Sequence, residues 1–291
     1  MLFKGSGVAI CTPFTEDGIN YDTFAKLVDF QIENGTDALV VCGTTGEPST
    51  MSRDEKCALV EFAVKRAQNR VPVIVGIGGN NTADVLFSAR HARECGANGV
   101  LAVTPYYNKC TRKGLIEHFL AVADAAALPV MIYNVPSRTG VNMTPDVFDE
   151  LASHKHIDSI KEATGDISQI AEMARLTRKK AALYSGNDDH IVPVLSLGGA
   201  GVVSVLANVV PRYVHDMVSA YHAGDVEKAC DMQLAVNPLV SALFSEVNPI
   251  PVKTALRLMG YDMGPFRLPL TEMEEKNLDA LTAQLKSFKL I

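Results

Sequence analysis

The sequence predicts an α/β fold, a closed (β/α)8 TIM barrel with a C-terminal helical extension, and three observations carry that prediction. Apolar runs of strand length, rich in β-branched residues, recur eight times, over 8–11, 38–42, 73–77, 99–104, 130–135, 158–162, 182–185 and 201–205. Segments with helical spacing separate them. The strands read as continuous apolar runs, as expected when helices cover both faces of a parallel sheet, and no break in composition interrupts the alternation.

The helices are placed over 21–34, 52–68, 82–94, 113–126, 144–151, 167–176 and 211–222, with a shorter one near 190–197 between the seventh and eighth strands. Several carry start signals. Ser52 with Glu55 has capping-box spacing, as does Asp166 with Gln169, and Thr144 is followed by Pro145 at the first helical position. Beyond the eighth unit the chain reads as helical: a stretch over 225–247 kinked near Asn237-Pro238, a helix after Pro251, and a last one capped by Thr271 with Glu274. This divides the chain into a catalytic barrel over 1–224 and a helical extension over 225–291.

Composition narrows the function. The 291 residues are 47% hydrophobic and 21% charged, enough for a sizeable core. The net charge of -6 leaves no electrostatic footprint for nucleic acid or an anionic membrane. No signal peptide and no 18-residue apolar run is visible, and the six cysteines are scattered without a Cys-x-x-Cys pair. A cytoplasmic protein with reduced thiols is expected. Nucleotide and phosphate fingerprints are missing: Gly76-Ile77-Gly78-Gly79-Asn80-Asn81 lacks the third glycine of a dinucleotide loop, and no Gly-Lys-Ser/Thr follows a glycine-rich turn. There is no His-Glu-x-x-His and no Gly-x-Ser-x-Gly elbow.

In a barrel of this type the chemistry sits at the C-terminal ends of the strands. The second strand runs into Gly43-Thr44-Thr45-Gly46-Glu47, whose hydroxyls and backbone N–H groups suit a carboxylate. The same residues are also ordinary turn chemistry. The fourth ends in Thr104-Pro105-Tyr106-Tyr107, where adjacent tyrosines point apart, one toward a site and one toward an interface, unless both simply pack. The fifth ends in Tyr133, a candidate proton carrier, and continues to Arg138, a candidate carboxylate clamp. The sixth carries Lys161. Alone it reads as a solvated strand lysine; desolvated at the barrel mouth it is an amine nucleophile able to form a Schiff base with a carbonyl. The seventh ends in Ser185-Gly186-Asn187-Asp188-Asp189-His190, and the last three offer a rival reading as ligands of a metal-dependent lyase.

Taken together, Gly43–Glu47, Tyr133–Gly140 and Lys161–Asp166 stand in an order and spacing that resembles the 4-hydroxy-tetrahydrodipicolinate synthase (dihydrodipicolinate synthase) family of pyruvate-dependent Schiff-base aldolases. The resemblance runs from Gly7-Val8 to Asn248-Pro249-Ile250-Pro251-Val252-Lys253. It implies a lyase of lysine and diaminopimelate biosynthesis that condenses pyruvate with L-aspartate 4-semialdehyde, with no cofactor and no metal. By the same resemblance Lys161 forms the imine and Tyr133 moves the protons. Thr44 links Tyr133 to a Tyr107 contributed by a neighbouring subunit of a homotetramer, a dimer of dimers. Thr45 binds the pyruvate carboxylate and Arg138 the semialdehyde carboxylate, while Gly186 and Val203, the latter commonly isoleucine in relatives, line the pocket. Sialic acid lyases share the lysine and tyrosine, but Arg138 favours a short acidic aldehyde over a sugar.

Some members of the family are inhibited by lysine at the dimer interface. The matching positions are Pro48, Ser49, Arg53, Lys56, Asn80, Asp84 and Tyr106. The sensitive pattern has histidine near position 56 and glutamate at 84. Lys56 places a cation near the ligand's ammonium and Asp84 is one methylene shorter, so weak or absent feedback is expected. A barrel that binds ligand without catalysis is the remaining alternative, disfavoured by five matching site residues.

Overall fold

A computed structural model describes residues 1–291. Eight parallel strands close on themselves in chain order: β1 (Gly5–Ala9), β2 (Ala38–Val41), β3 (Val73–Gly76), β4 (Gly99–Val103), β5 (Val130–Asn134), β6 (Ile157–Glu162), β7 (Ala182–Ser185) and β8 (Gly201–Ser204). β8 returns to β1, pairing Gly7 with Val203. The outer ring is α1 (Tyr21–Glu33), α2 (Arg53–Ala67), α3 (Thr82–Glu94), α4 (Arg112–Ala126), a single turn α5 (Pro136–Thr139), α6 (Pro145–Leu151), α7 (Ile167–Thr177), α8 (Ile191–Ser196) and α9 (Pro211–His222). The extension is α10 (Val226–Leu243), α11 (Ile250–Leu258) and α12 (Glu275–Ser287). None of these helices is long and apolar enough to cross a membrane.

Inside the barrel a compact cluster stacks Val40, Ile74, Leu101, Met131 and Val203, with Phe3 and Tyr184 at the lower end. The ring centroids of these two are 4.6 Å apart, and the Tyr184 hydroxyl donates to the Phe3 carbonyl. A second, larger core lies between strands and helices and takes in Val236, Leu239, Leu256, Leu281 and Leu285. The extension therefore shares the barrel's core, and residue 225 marks the end of the strand–helix alternation rather than a break in packing.

The departures from the sequence reading have local causes. β1 lies at Gly5–Ala9, earlier than 8–11, because its first half is Gly-Ser-Gly and carries no apolar signal. Glycine is needed on the strand opposite: a Cβ on Gly201 of β8 would fall 1.8 Å from the Gly5 carbonyl oxygen. Cys11 has left the ladder, its N–H donating to Asn208 Oδ1 at 3.0 Å. α10 ends at Leu243, short of 247, and carries Pro238 inside it; α11 begins at Ile250, so Pro251 sits in its first turn, where no N–H is missed. Thr271 does not cap α12. Its hydroxyl donates to the Glu272 carbonyl, and the Glu246 carboxylate takes the Glu274 N–H and the Asn277 amide, both at 2.9 Å. The Ser52–Glu55 capping box is complete. Asp166 caps α7, but Gln169 reaches across to Asn142 instead of back.

Candidate active site

Lys161 stands near the C-terminal end of β6, in register with Tyr133 on β5 and Tyr184 on β7. Its Nζ lies 4.2 Å from the centre of the Tyr133 ring, and the residue is 5% exposed. Burial brings the ammonium down to about 8, with Asp188 opposing the effect and Arg138 adding to it. The π-face favours the cation, so desolvation wins over two attractive influences. Burial also pushes the Tyr133 phenol up to about 12, against the pull of Arg138, so it keeps its proton at neutral pH. A partly free amine thus sits against a protonated phenol.

Gly186 gives this lysine room. A Cβ there would come within 2.7 Å of Ala163 Cβ and 3.2 Å of Lys161 Cε. Val203, on β8, closes the barrel interior in the same cluster as Tyr133.

The Thr44–Gly46 segment forms one 3-10 turn between two residues with left-handed backbone, Cys42 (φ 57°) and Glu47 (φ 56°). Thr45 is buried and its hydroxyl accepts from the Asn248 amide at 3.0 Å. Thr44 lines a cavity of about 550 Å³ with Tyr133, Arg138, Ser49, Lys56 and Tyr106. Lys161, Thr45 and Val203 are not in that lining, and each is nearly fully buried. Arg138 is exposed on α5, one guanidinium nitrogen 3.4 Å from the Asn248 carbonyl. Within one chain Thr44 makes no hydrogen bond to Tyr133, and Tyr107 is 88% exposed with φ 67°, turned out to solvent.

The proposed regulatory positions divide between two neighbouring cavities. Pro48, Ser49, Lys56 and Tyr106 face the larger one; Arg53, Lys56 and Asp84 line another of about 280 Å³. Arg53 holds one Asp84 oxygen at 2.7 Å and the Asn81 amide holds the other at 2.7 Å. The Asn80 carbonyl accepts from Asn108 at 3.1 Å.

The Asp188-Asp189-His190 cluster does not assemble as metal ligands. Asp188 is buried and its Oδ2 accepts the backbone N–H groups of Val205 and Leu206 at 3.0 and 2.8 Å, tying the β7 loop to the end of β8. Asp189 is exposed. Asp188 instead acts on Lys161 by favouring its ammonium against the effect of burial.

Two functional features escaped sequence reading. One is Asn248, which touches Thr45 and Arg138 from the extension. The other is a fully buried ion pair, Lys253 Nζ to Glu47 Oε1 at 2.6 Å, at the residue that ends the Thr44–Gly46 turn. The ammonium is also flanked by the rings of Phe14 and Phe266 at 4.5 and 5.0 Å. Burial drives both groups toward neutrality and each charge holds the other. The signal in sequence was an unpaired lysine within an otherwise apolar helix start.

Residues 2–288 match the Dihydrodipicolinate synthetase family. A curated relative from Clostridium perfringens (strain SM101 / Type A), named 4-hydroxy-tetrahydrodipicolinate synthase, is 53% identical across the whole of both chains. The crystal structure of dihydrodipicolinate synthase from Thermotoga maritima superposes with a TM-score of 0.98 at 42% identity, over all of both chains. The chloride-inhibited enzyme from Acinetobacter baumannii, solved with pyruvate, superposes at 0.96 and 39% identity over 99% of each. The chain belongs to the dihydrodipicolinate synthetase family.

Proposed function

We propose that the chain is a lyase of lysine and diaminopimelate biosynthesis that condenses pyruvate with L-aspartate 4-semialdehyde through an imine on Lys161. The observation that carries this reading is the pairing of a desolvated lysine with a protonated phenol, the amine 4.2 Å from the ring centre. The free amine adds to the pyruvate carbonyl, and loss of water leaves a protonated imine. That cation withdraws electrons from the methyl group, so loss of a methyl proton gives an enamine, whose carbon attacks the aldehyde. Tyr133 gives and takes the protons of these steps. Thr45 and its turn hold the pyruvate carboxylate, while Arg138 grips that of the semialdehyde. Gly186 and Val203 shape the pocket.

Tyr107 serves the neighbouring subunit, where Thr44 links it to Tyr133. Its exposure supports a dimer. The full assembly is a dimer of dimers acting in the cytoplasm. No metal or other cofactor takes part in this scheme. A substrate panel tests the reading: turnover of pyruvate with aspartate semialdehyde, and none with a sugar aldehyde. Efficient turnover of the sugar instead makes the chain a sugar-acid lyase on the same lysine.

A further inference from the structure

Away from the barrel mouth, α2 and α3 carry paired donors one helical turn apart. Cys57 and Glu61 share a face of α2, and His91 in the last turn of α3 stands beside Cys95, the residue that caps its C-terminus, both pairs at i, i+4 spacing. The two faces meet. His91 Nε2 lies 3.3 Å from Cys95 Sγ and 3.4 Å from the Cys57 carbonyl oxygen. One ligand atom from each of Glu61, His91 and Cys95 falls within 4.8 Å of the other two. Donors held at about 2.0–2.3 Å from a tetrahedral ion are themselves roughly 3.3–3.8 Å apart, so small side-chain rotations close this set. The imidazole is already oriented: its ring is parallel to that of Phe87 (1°), which in turn carries the Arg53 guanidinium at 4.6 Å.

We propose that Glu61, His91 and Cys95 bind a zinc-class divalent cation that clamps α2 to α3, with water in the fourth position. The donor set is one carboxylate, one imidazole and one thiolate, the mixture zinc and cobalt(II) take tetrahedrally. On binding, the Cys95 S–H proton passes to solvent, the metal–sulfur bond forms, and hydration waters leave; nothing is oxidised or reduced. The site is separate from Lys161, and His91 and Cys57 line the cavity of about 280 Å³ that also holds Arg53, Lys56 and Asp84.

The test is a titration of the reduced full chain with Co²⁺, read by absorbance. One equivalent should give the intense near-ultraviolet thiolate-to-cobalt band with tetrahedral visible bands, displaced by Zn²⁺. Cys95→Ser should abolish the near-ultraviolet band, and Glu61→Gln and His91→Gln should each weaken Zn²⁺ binding at least tenfold. Cys110→Ser, at an exposed thiol outside the cluster, should change nothing. Zn²⁺ should also raise the melting temperature of the parent and not of Cys95→Ser, provided the two melt alike without metal. If no band forms, or if it survives Cys95→Ser, or disappears with Cys110→Ser, the site does not exist as described.

Discussion

Tyr133 and Lys161 are register partners on adjacent strands, with the lysine nitrogen over the face of the phenol ring rather than beside its hydroxyl. The ring shields the amine from water while its own hydroxyl keeps its proton, and both effects come from burial. Removing the hydroxyl while keeping the ring separates the two roles. Tyr133→Phe should keep the fold and lower kcat by about 10²–10⁴-fold, the range of a lost general acid–base group, checked by steady-state kinetics alongside a thermal melt. A kcat within a factor of two of the parent would remove Tyr133 from proton transfer.

The depressed lysine has a consequence for stability whose sign is fixed. Its ammonium titrates at about 8 in the folded chain against an ordinary value of 10.5, so the unfolded chain binds more protons between those values. Lys161 therefore lowers stability by about 3 kcal/mol below pH 8, and that cost fades as pH rises toward 10.5. Lys161→Met should be more stable than the parent at pH 7, with the gap narrowing above pH 9, measured by denaturant unfolding at several pH values. The rate of imine formation should rise with pH up to about 8 for the same reason.

Lys253 and Glu47 support the Thr44–Gly46 turn from below. Lys253→Met strands the Glu47 carboxylate in a dry site and should cost about 3–5 kcal/mol, with a raised KM for pyruvate. Adding Glu47→Gln should recover most of the stability. Equal instability of single and double variants would mean that the pair is not what holds the turn.

Arg138 is exposed on its one-turn helix and free to meet a second substrate. Arg138→Ala should raise KM for the semialdehyde, lowering kcat/KM by roughly 10–100-fold, while imine formation with pyruvate stays intact. The check is to run both assays on the same preparation.

Feedback by lysine should be weak or absent. Both Asp84 oxygens are already engaged by Arg53 and Asn81, and Lys56 brings a cation to the cavity where an ammonium would bind. An inhibition titration should show half-inhibition only above millimolar lysine; sensitivity below that would contradict the reading.

The barrel was legible because its signals are local and repeated: apolar runs such as 130–135 and 182–185, and caps such as Ser52 with Glu55, need no tertiary information. β1 was misplaced because Gly5-Ser6-Gly7, which pair with β8, carry no apolar side chain to signal a strand. The lysine, tyrosine and arginine could be picked out from strand-end positions, whereas Asn248 and Lys253 could not. These two reach the site across more than 200 residues of chain, from a segment whose local pattern is that of an ordinary helix start. Asp188 shows the converse: a carboxylate beside Asp189 and His190 suggests a ligand set, but the fold spends it on two backbone N–H groups of the next strand end.

The most direct measurement of the Schiff-base role is borohydride reduction in the presence of pyruvate, followed by peptide mapping. One reduced pyruvyl adduct is expected, on Lys161, formed at one per chain and absent from Lys161→Met. An intact Lys161 peptide, or an adduct on any other lysine, would contradict it.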